Sequence, residues 1–284
     1  MTITAQTQLC GLLGNPVDHS LSPAIHNAAF QKLGLNFVYL AFPVEDLESA
    51  IRGIRALGHI RGFSVTIPHK VSIVPLLDSV ETIARHIGSV NTIIKDRGAL
   101  VGTNTDASGA LQALRKGDVD LSGQPIVMLG TGGAARAIAF GLCVEENIGH
   151  LTLLGIDDKE RAALAADLRA KTSVTITDDQ LHAATLAPAL AKAHLLIHCT
   201  PIGMHPKIEH SCVPRELLHP RLTVMDIVYN PINTQLLQDA QAAGCRTIQG
   251  IEMFLHQAVG QFELWTGKIA PIETMRTILT SHFS

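Results

Sequence analysis

The chain has 284 residues, of which 46% are hydrophobic, and it carries 22 lysines and arginines against 25 aspartates and glutamates, for a net charge of −3. This length suits one large domain or two ordinary ones with a sizeable apolar core, which argues against a disordered chain. Because the charges nearly balance, no basic field favours nucleic acid or anionic lipid, and a small-molecule partner is predicted.

The first part of the chain, up to about residue 105, alternates short apolar runs with helical patterns, which is typical of an α/β layer. A helix is predicted where Ser22 stands at the N-cap position, Pro23 at the first helical position and Gly34 after the last turn. The predicted strands are CGLLG (10–14), FVYLAF (37–42), GFSVTI (62–67), SVNTII (89–94) and, more weakly, ALVGTN (99–104).

A second α/β series follows. Its predicted strands lie in GQPIVMLG, HLTLLG, SVTIT, HLLIHCT, TVMDIV and RTIQG, with helices such as AARAIAFGLCVEE and NTQLLQDAQAAG between them. Strict alternation of strand and helix favours a parallel, doubly wound sheet. Residues 250–284 have a helical pattern without a strand, and they are predicted to return onto the first domain and leave a cleft between two domains.

A glycine-rich turn follows the first strand of the second series, in VMLGTGGAAR (127–136). The first glycine of this pattern permits a tight turn, the second lets backbone amides approach a pyrophosphate, and Ala135 keeps the following helix close to its strand. The helix N-terminus then favours an anion. The alternative is a glycine turn that only links strand to helix. The predicted cofactor-binding residues are Gly130, Thr131, Gly132, Gly133 and Ala134.

The next strand ends in LTLLGIDD, where a dinucleotide would place its adenosine ribose. An acidic side chain at this point binds the 2′-hydroxyl of NAD, whereas NADP requires a cation for its 2′-phosphate. Asp157 and Asp158 therefore favour NAD. The alternative, of nearly equal weight, is that both aspartates only stabilise the N-terminus of the next helix.

Polar side chains also follow the strands of the first domain, where an open α/β sheet presents its ligands. Hydroxyl, amide, amine and carboxylate groups together suit a small polyhydroxylated acid. Each has a structural alternative, because Ser22 and Asp106 can cap helices and Thr66 and Asn91 can satisfy turns. The full set is Ser20, Ser22, Thr66, Lys70, Asn91, Asn104 and Asp106.

These segments carry a family resemblance. SLSP, VTIPHK, GSVNT, NTDASG, GTGGAAR, IVYNP and GIEMFLHQAVGQFELWTG resemble the motifs of the shikimate dehydrogenase family, in order and along nearly the whole chain, and the last two are similar to its quinate/shikimate branch. The resemblance implies an NAD(P)-dependent oxidoreductase of aromatic amino acid biosynthesis. It also implies a substrate-binding catalytic domain formed by residues 1–107 plus 250–284 and a Rossmann-like dinucleotide-binding domain formed by residues 108–249.

The resemblance further implies roles for individual residues. Lys70 and Asp106 match the catalytic pair, in which an amine accepts the proton of the ring hydroxyl and a carboxylate orients it. Ile227 and Gly250 match cofactor-binding positions. The residues matching substrate-binding positions are Ser20, Ser22, Thr66, Asn91, Asp106, Tyr229 and Gln257.

Two departures from the family pattern affect these expectations. Ser64 replaces the family's asparagine, which weakens one expected hydrogen bond to substrate. Gly155, Ile156 and Asp157 replace an Asn-Arg-Thr signature that grips the NADP phosphate, which again favours NAD. Lys159 and Arg161 are the candidates to replace the lost arginine.

Three other interpretations stay open at this stage: a dehydrogenase preferring quinate or an amino analogue, a non-catalytic NAD(P)-binding regulatory protein, and a methyltransferase. The N-terminal segment lacks the pattern of a secretory signal and no apolar stretch reaches the ~20 residues of a membrane span, so a cytoplasmic location is predicted. Scattered cysteines without CxxC spacing, and histidines without HExxH spacing, predict neither disulfide nor metal. A homodimer is compatible with this interpretation.

Overall fold

The computed structural model describes residues 2–283. Contacts between Cα atoms divide the chain into two compact units. The first unit runs to Thr105 and resumes at Gln257, and the second is Asp106–His256. The assignment of substrate to the first unit and of dinucleotide to the second stays a prediction.

The first unit contains a six-stranded mixed sheet in the order β2-β1-β3-β5-β6-β4. The strand β1 is parallel to β2 and β3, whereas β5 is antiparallel to β3 and β6. The two-residue β5–β6 connection, Arg97 and Gly98, has φ values of 49° and 91°, as the tightest hairpin turns require. The strands are β1 (Gln8–Gly14), β2 (Phe37–Pro43), β3 (Ile60–Val65), β4 (Ser79–Val80), β5 (Thr92–Asp96) and β6 (Ala99–Thr103).

The first unit's helices are α1 (Ser22–Lys32), α2 (Leu47–Ala56), α3 (His69–Ser72), α4 (Thr82–Ile87) and the C-terminal α11 (Ile272–Ser281), with a 3₁₀ turn at Val74–Leu76. The helix α11 packs against α1. The predicted N-cap at Ser22 is wrong, because Leu21 occupies that position and Ser22 is the first helical residue. The Ser20 hydroxyl accepts the Ser22 N–H at 3.2 Å, so Ser20 provides the polar partner that was expected of Ser22.

The second unit contains a six-stranded sheet in the order β12-β11-β10-β7-β8-β9. Every neighbouring pair is parallel, so the predicted doubly wound sheet is confirmed. The order reverses at β7, which places the topological switch point between β7 and β10. The strands are β7 (Pro125–Leu129), β8 (His150–Gly155), β9 (Thr175–Gln180), β10 (Leu195–His198), β11 (Thr223–Asp226) and β12 (Arg246–Gln249).

The second unit's helices are α5 (Asp106–Lys116), α6 (Gly133–Glu145), α7 (Asp158–Lys171), α8 (Ala183–Leu190) and α9 (Gln235–Ala242), and α10 (Gly250–Thr266) runs from this unit into the first. Strict alternation is wrong at one point: among the described residues, β10 and β11 are joined only by a 3₁₀ turn at Arg215–Leu217. Prolines in this connection, at positions 201, 206, 214 and 220, oppose a regular α-helix. Within residues 2–283, no helix has both the length and the apolar character to cross a bilayer.

Candidate functional site

The carboxyl edge of β1 and β3 gathers several of the predicted site residues. Because these two strands are parallel, the segment with Ser20 and Ser22 after β1 and the loop with Thr66 after β3 leave the sheet at the same edge. The Thr66 N–H donates to the Leu13 carbonyl at 2.9 Å, which fixes the loop beside β1. The first unit therefore brings the predicted hydroxyl residues to one edge of its sheet.

Asn91 is buried and holds the chain that follows β6. Its Nδ2 donates to the Thr105 hydroxyl at 3.0 Å, and its Oδ1 accepts the Thr105 N–H at 2.8 Å and the Thr92 hydroxyl at 2.7 Å. This geometry supports the alternative role of Asn91, in which the side chain satisfies the polar groups of a turn. A direct contact of Asn91 with substrate stays a prediction.

A chain of uncharged hydrogen bonds lies beneath this edge. The Tyr39 hydroxyl donates to Ser64 Oγ at 2.7 Å, and Ser64 Oγ donates to Gln261 Oε1 at 2.8 Å. Gln261 Nε2 in turn donates to the Asn91 carbonyl at 3.2 Å. Ser64 is 4% exposed, so its hydroxyl serves this internal chain. Sequence reasoning assigned no role to Tyr39 or to Gln261, although Gln261 lies in the motif at 250–267.

The remaining predicted substrate residues lie on other elements. Gln257 is buried on α10 in the first unit, and Asp106 is buried as the first residue of α5 in the second. Tyr229 follows β11, and its ring packs against Phe254 with a centroid distance of 4.7 Å. Burial raises the pKa of the Tyr229 hydroxyl. The pairing of Asp106 with Lys70 stays a prediction.

The glycine turn follows β7 at the carboxyl edge of the second sheet. Gly130 has φ +99°, and a Cβ there would stand 3.1 Å from the backbone carbon of Cys199, so this position requires glycine. Gly132 differs, because its φ of −68° suits any residue and a Cβ there would meet no protein atom within 4 Å. Neither backbone strain nor packing within the described protein explains glycine at position 132.

The open space at Gly132 fits a dinucleotide. A Cβ would project where a pyrophosphate must approach the backbone, and the first N–H groups of α6 have no carbonyl partner one turn earlier. Ala135 is 1% exposed, which suits its predicted role of keeping α6 close to its strand. Gly250 has another reason to be glycine, because a Cβ there would lie 2.5 Å from the Ile227 carbonyl oxygen.

The acidic residues after β8 have structural partners. Asp157 caps α7, where its Oδ1 accepts the N–H groups of Lys159 and Glu160 at 2.9 Å each. The helix-capping alternative is therefore confirmed for Asp157, without deciding whether this carboxylate also binds a ribose. Arg161 donates to Asp158 at 2.7 Å and to Asp178 at 3.3 Å.

A buried ion pair lies where β10 and β11 end, and sequence reasoning missed it. His198 Nδ1 lies 2.8 Å from Asp226 Oδ1, and the two side chains are 1% and 0% exposed. Burial lowers the pKa of His198, but hydrogen bonds with Asp226 and Cys212 outweigh it and raise that pKa to about 10. The signal available in the sequence was a histidine and an aspartate that each end an apolar strand, in HLLIH and TVMD. Among residues 2–283, no group of three or more His, Cys, Asp or Glu side chains is arranged to hold a metal ion.

A parallel sheet in this order, with a glycine turn that opens onto free space at its switch point, defines the class of dinucleotide-binding α/β proteins. Two family models match the chain. The shikimate dehydrogenase substrate binding domain matches residues 12–93, and the shikimate 5′-dehydrogenase C-terminal domain matches residues 250–280.

Whole-chain comparisons agree with these matches. The shikimate dehydrogenase (NADP(+)) of Methanopyrus kandleri is 44% identical and covers 99% of this chain and 98% of its own. The shikimate 5-dehydrogenase of Listeria monocytogenes, solved with shikimate and NAD, is 35% identical with a TM-score of 0.92 over 98% of both chains. Quinate dehydrogenase from Corynebacterium glutamicum, solved with NAD, is 31% identical with a TM-score of 0.90 over 97% of this chain and 99% of its own. The chain belongs to the shikimate dehydrogenase family.

Proposed function

We propose that this protein is a shikimate dehydrogenase, which interconverts shikimate and 3-dehydroshikimate by hydride transfer with a nicotinamide dinucleotide. Family membership over the whole chain supports the reaction, and the open space at Gly132 supports the dinucleotide. When bound, the nicotinamide accepts or supplies the hydride. The residues proposed to hold the dinucleotide are Gly130, Thr131, Gly132, Gly133, Ala134, Asp157, Ile227 and Gly250.

The observation that carries the catalytic assignment is a shared backbone anchor. The Val90 N–H donates to the Lys70 carbonyl at 2.7 Å, and the next residue, Asn91, binds Thr105 through its side chain. Thr105 directly precedes Asp106 in the chain. The Lys70 backbone and the residue before Asp106 are therefore hydrogen-bonded to two consecutive residues, Val90 and Asn91. This supports the convergence of the Lys70 amine and the Asp106 carboxylate.

The proposed chemistry follows from these two groups. Oxidation of a ring hydroxyl requires a base that removes its proton as the hydride leaves, and the neutral Lys70 amine has that capacity. The Asp106 carboxylate orients the amine and the hydroxyl. The hydroxyls of Ser20, Ser22 and Thr66, with Asn91, Tyr229 and Gln257, are proposed to hold the other oxygens of the substrate.

The direct test measures initial rates with shikimate or quinate, each with NAD or NADP. We expect the highest kcat/KM with shikimate. No turnover in any of the four combinations would contradict the proposal and would favour a non-catalytic dinucleotide-binding protein.

Substitution of Lys70 tests its role in the chemistry. Lys70→Ala is expected to lower kcat by ~10²-fold or more with a smaller effect on KM, because a missing base affects the transition state more than binding. Lys32→Ala, an exposed lysine in the last turn of α1, is the matched control and should keep the wild-type rate. A Lys70→Ala enzyme that keeps its kcat and only binds shikimate poorly would remove Lys70 from the chemistry.

The cofactor preference is proposed to be NAD, although the Methanopyrus kandleri relative is named for NADP(+). Carboxylates follow β8 where NADP requires a cation. Arg161, one of two candidate cations, is already bound to Asp158 and to Asp178 of β9. Asp157→Ala is expected to raise the Kd of NAD more than that of NADP, with Glu160→Ala as control. Equal losses for both cofactors would show that Asp157 only caps its helix.

A preference for quinate is the second candidate, because the Corynebacterium glutamicum quinate dehydrogenase is a structural neighbour over nearly the whole chain. A kcat/KM for quinate at or above that for shikimate would establish it. The homodimer and the cytoplasmic location stay predictions from the sequence.

A further inference from the structure

The loop after β10 contacts the glycine turn directly. A Cβ on Gly130 would lie 3.1 Å from the Thr200 methyl carbon and 3.1 Å from the Cys199 carbonyl oxygen. Cys199 and Thr200 therefore form one wall of the turn, at the carboxyl edge where a doubly wound sheet binds its dinucleotide. Thr200 is partly buried, and its methyl group faces the turn.

The Thr200 hydroxyl is fixed by two neighbours. Its oxygen accepts the Ile202 N–H at 3.2 Å, and it forms a hydrogen bond with Nε2 of His198. The other ring nitrogen of His198 faces Asp226, so the ring cannot turn without breaking its contact with Asp226 or with Thr200. His198 thus connects a buried carboxylate to the hydroxyl of a residue that lines the glycine turn.

The Asp226 carboxylate favours the protonated, positively charged form of His198. Besides His198, this carboxylate accepts the Thr234 hydroxyl at 2.6 Å and the Val228 N–H at 3.0 Å. A fully buried carboxylate favours a compensating positive charge nearby, which an imidazolium supplies. An imidazolium donates from both nitrogens, so the Thr200 oxygen accepts two hydrogen bonds and its own O–H must donate elsewhere.

We propose that His198 is a positioning residue for the cofactor: it orients the Thr200 hydroxyl so that its O–H donates to an acceptor oxygen of the bound nicotinamide dinucleotide. This inference rests on the proposed function, since it requires the glycine turn to bind that ligand. Thr200 is the contacting group, and His198 acts through it.

The test titrates the full-length protein with NAD and with NADP in the absence of shikimate. Thr200→Val removes the hydroxyl and keeps the shape of the side chain, whereas Thr200→Ser keeps the hydroxyl. His198→Asn retains a donor but is too short to reach both partners. Thr200→Val and His198→Asn are each expected to raise the Kd of the preferred dinucleotide by ~10-fold, the usual effect of one lost hydrogen bond, and Thr200→Ser should stay near wild type.

Two further readouts separate positioning from a merely structural role. The double variant should bind no more weakly than either single variant, because both remove the same interaction. The KM for the dinucleotide should rise while the KM for shikimate stays unchanged. His194→Asn, in the residue directly before the same strand, is the matched control and should change neither.

Distinct results would overturn the proposal. If His198→Asn lowers the thermal midpoint but leaves the Kd of the dinucleotide unchanged, His198 is structural only. If His198→Asn fails to fold, the two threonine variants still decide, because both leave the ion pair intact; equal affinities in Thr200→Val and Thr200→Ser reject the proposal. A wild-type protein that binds neither NAD nor NADP contradicts the proposed function itself, and this inference with it.

Discussion

The two units fix their candidate site residues by different chemistry. In the first unit, hydroxyls and amides link Tyr39, Ser64 and Gln261 to Asn91 without a formal charge. In the second, a buried imidazolium and carboxylate, His198 and Asp226, hold the loop beside the glycine turn. Removing one hydrogen bond from an uncharged chain costs little stability. Removing one partner of a buried ion pair costs more, because the other charge stays buried without compensation. The second unit is therefore the more sensitive to single substitutions and to alkaline pH.

Removal of the buried carboxylate is expected to have the largest effect on stability. Asp226→Ala leaves the His198 ring, the Thr234 hydroxyl and the Val228 N–H without their common acceptor. We expect the free energy of unfolding, measured by urea denaturation, to fall by ~3–5 kcal/mol. Tyr39→Phe is the counterpart in the first unit and should cost about 1–2 kcal/mol. Equal losses in the two variants would contradict the contrast between the units.

The pH dependence of stability distinguishes two buried histidines. Burial lowers the pKa of His26 in the first unit to about 3, with Gln261 opposing, whereas the pKa of His198 is raised to about 10. An unfolded histidine titrates near ~6.5. Between pH 6.5 and 3 the unfolded chain binds a proton that native His26 does not, so stability falls on acidification. Between pH 6.5 and 10 native His198 holds a proton that the unfolded chain lacks, so stability falls as pH rises.

Urea denaturation across this pH range checks both slopes. His198→Asn should flatten the alkaline slope and leave the acid slope. His26→Phe, which keeps an aromatic ring stacked on Tyr39 and tilted against Trp265, should do the reverse. An alkaline slope that survives in His198→Asn would show that His198 is not charged in the native protein.

The fold was largely predictable because its strands are short apolar runs bounded by glycine, proline or polar residues. The missed strand, β4, has only two residues and pairs with β6 alone, so it leaves no pattern in the sequence. The predicted strand at 89–94 begins later, at Thr92, and the Val90 N–H donates to the Lys70 carbonyl outside the sheet. The missing helix between β10 and β11 shows that alternation is a tendency, which several prolines in one connection override.

The candidate site was predictable only where residues are close in sequence. The glycine turn and the polar loop ends lie in short motifs next to their strands. Long-range pairs were not accessible, because Ser64 and Gln261 are 197 residues apart and His198 and Asp226 are 28 apart. His198 meets Asp226 through the register of β10 with β11, which a single sequence does not specify.

We expect the smallest change in stability at the glycine turn. There, the backbone conformation requires glycine at position 130, whereas the proposed ligand requires it at position 132. Gly132→Ala adds a methyl group in open space at a φ that alanine adopts, so the free energy of unfolding should stay the same or rise by ~0.4–1 kcal/mol. The Kd of the dinucleotide should nevertheless rise by ~10-fold or more, because the methyl group occupies the approach to the pyrophosphate.

Gly130→Ala, two residues earlier in the same turn, should be destabilised even without ligand, because of its positive φ. Urea denaturation and calorimetric titration with NAD and NADP measure the two quantities separately. A Gly132→Ala protein that binds dinucleotide as tightly as wild type would show that the open space is not the phosphate site.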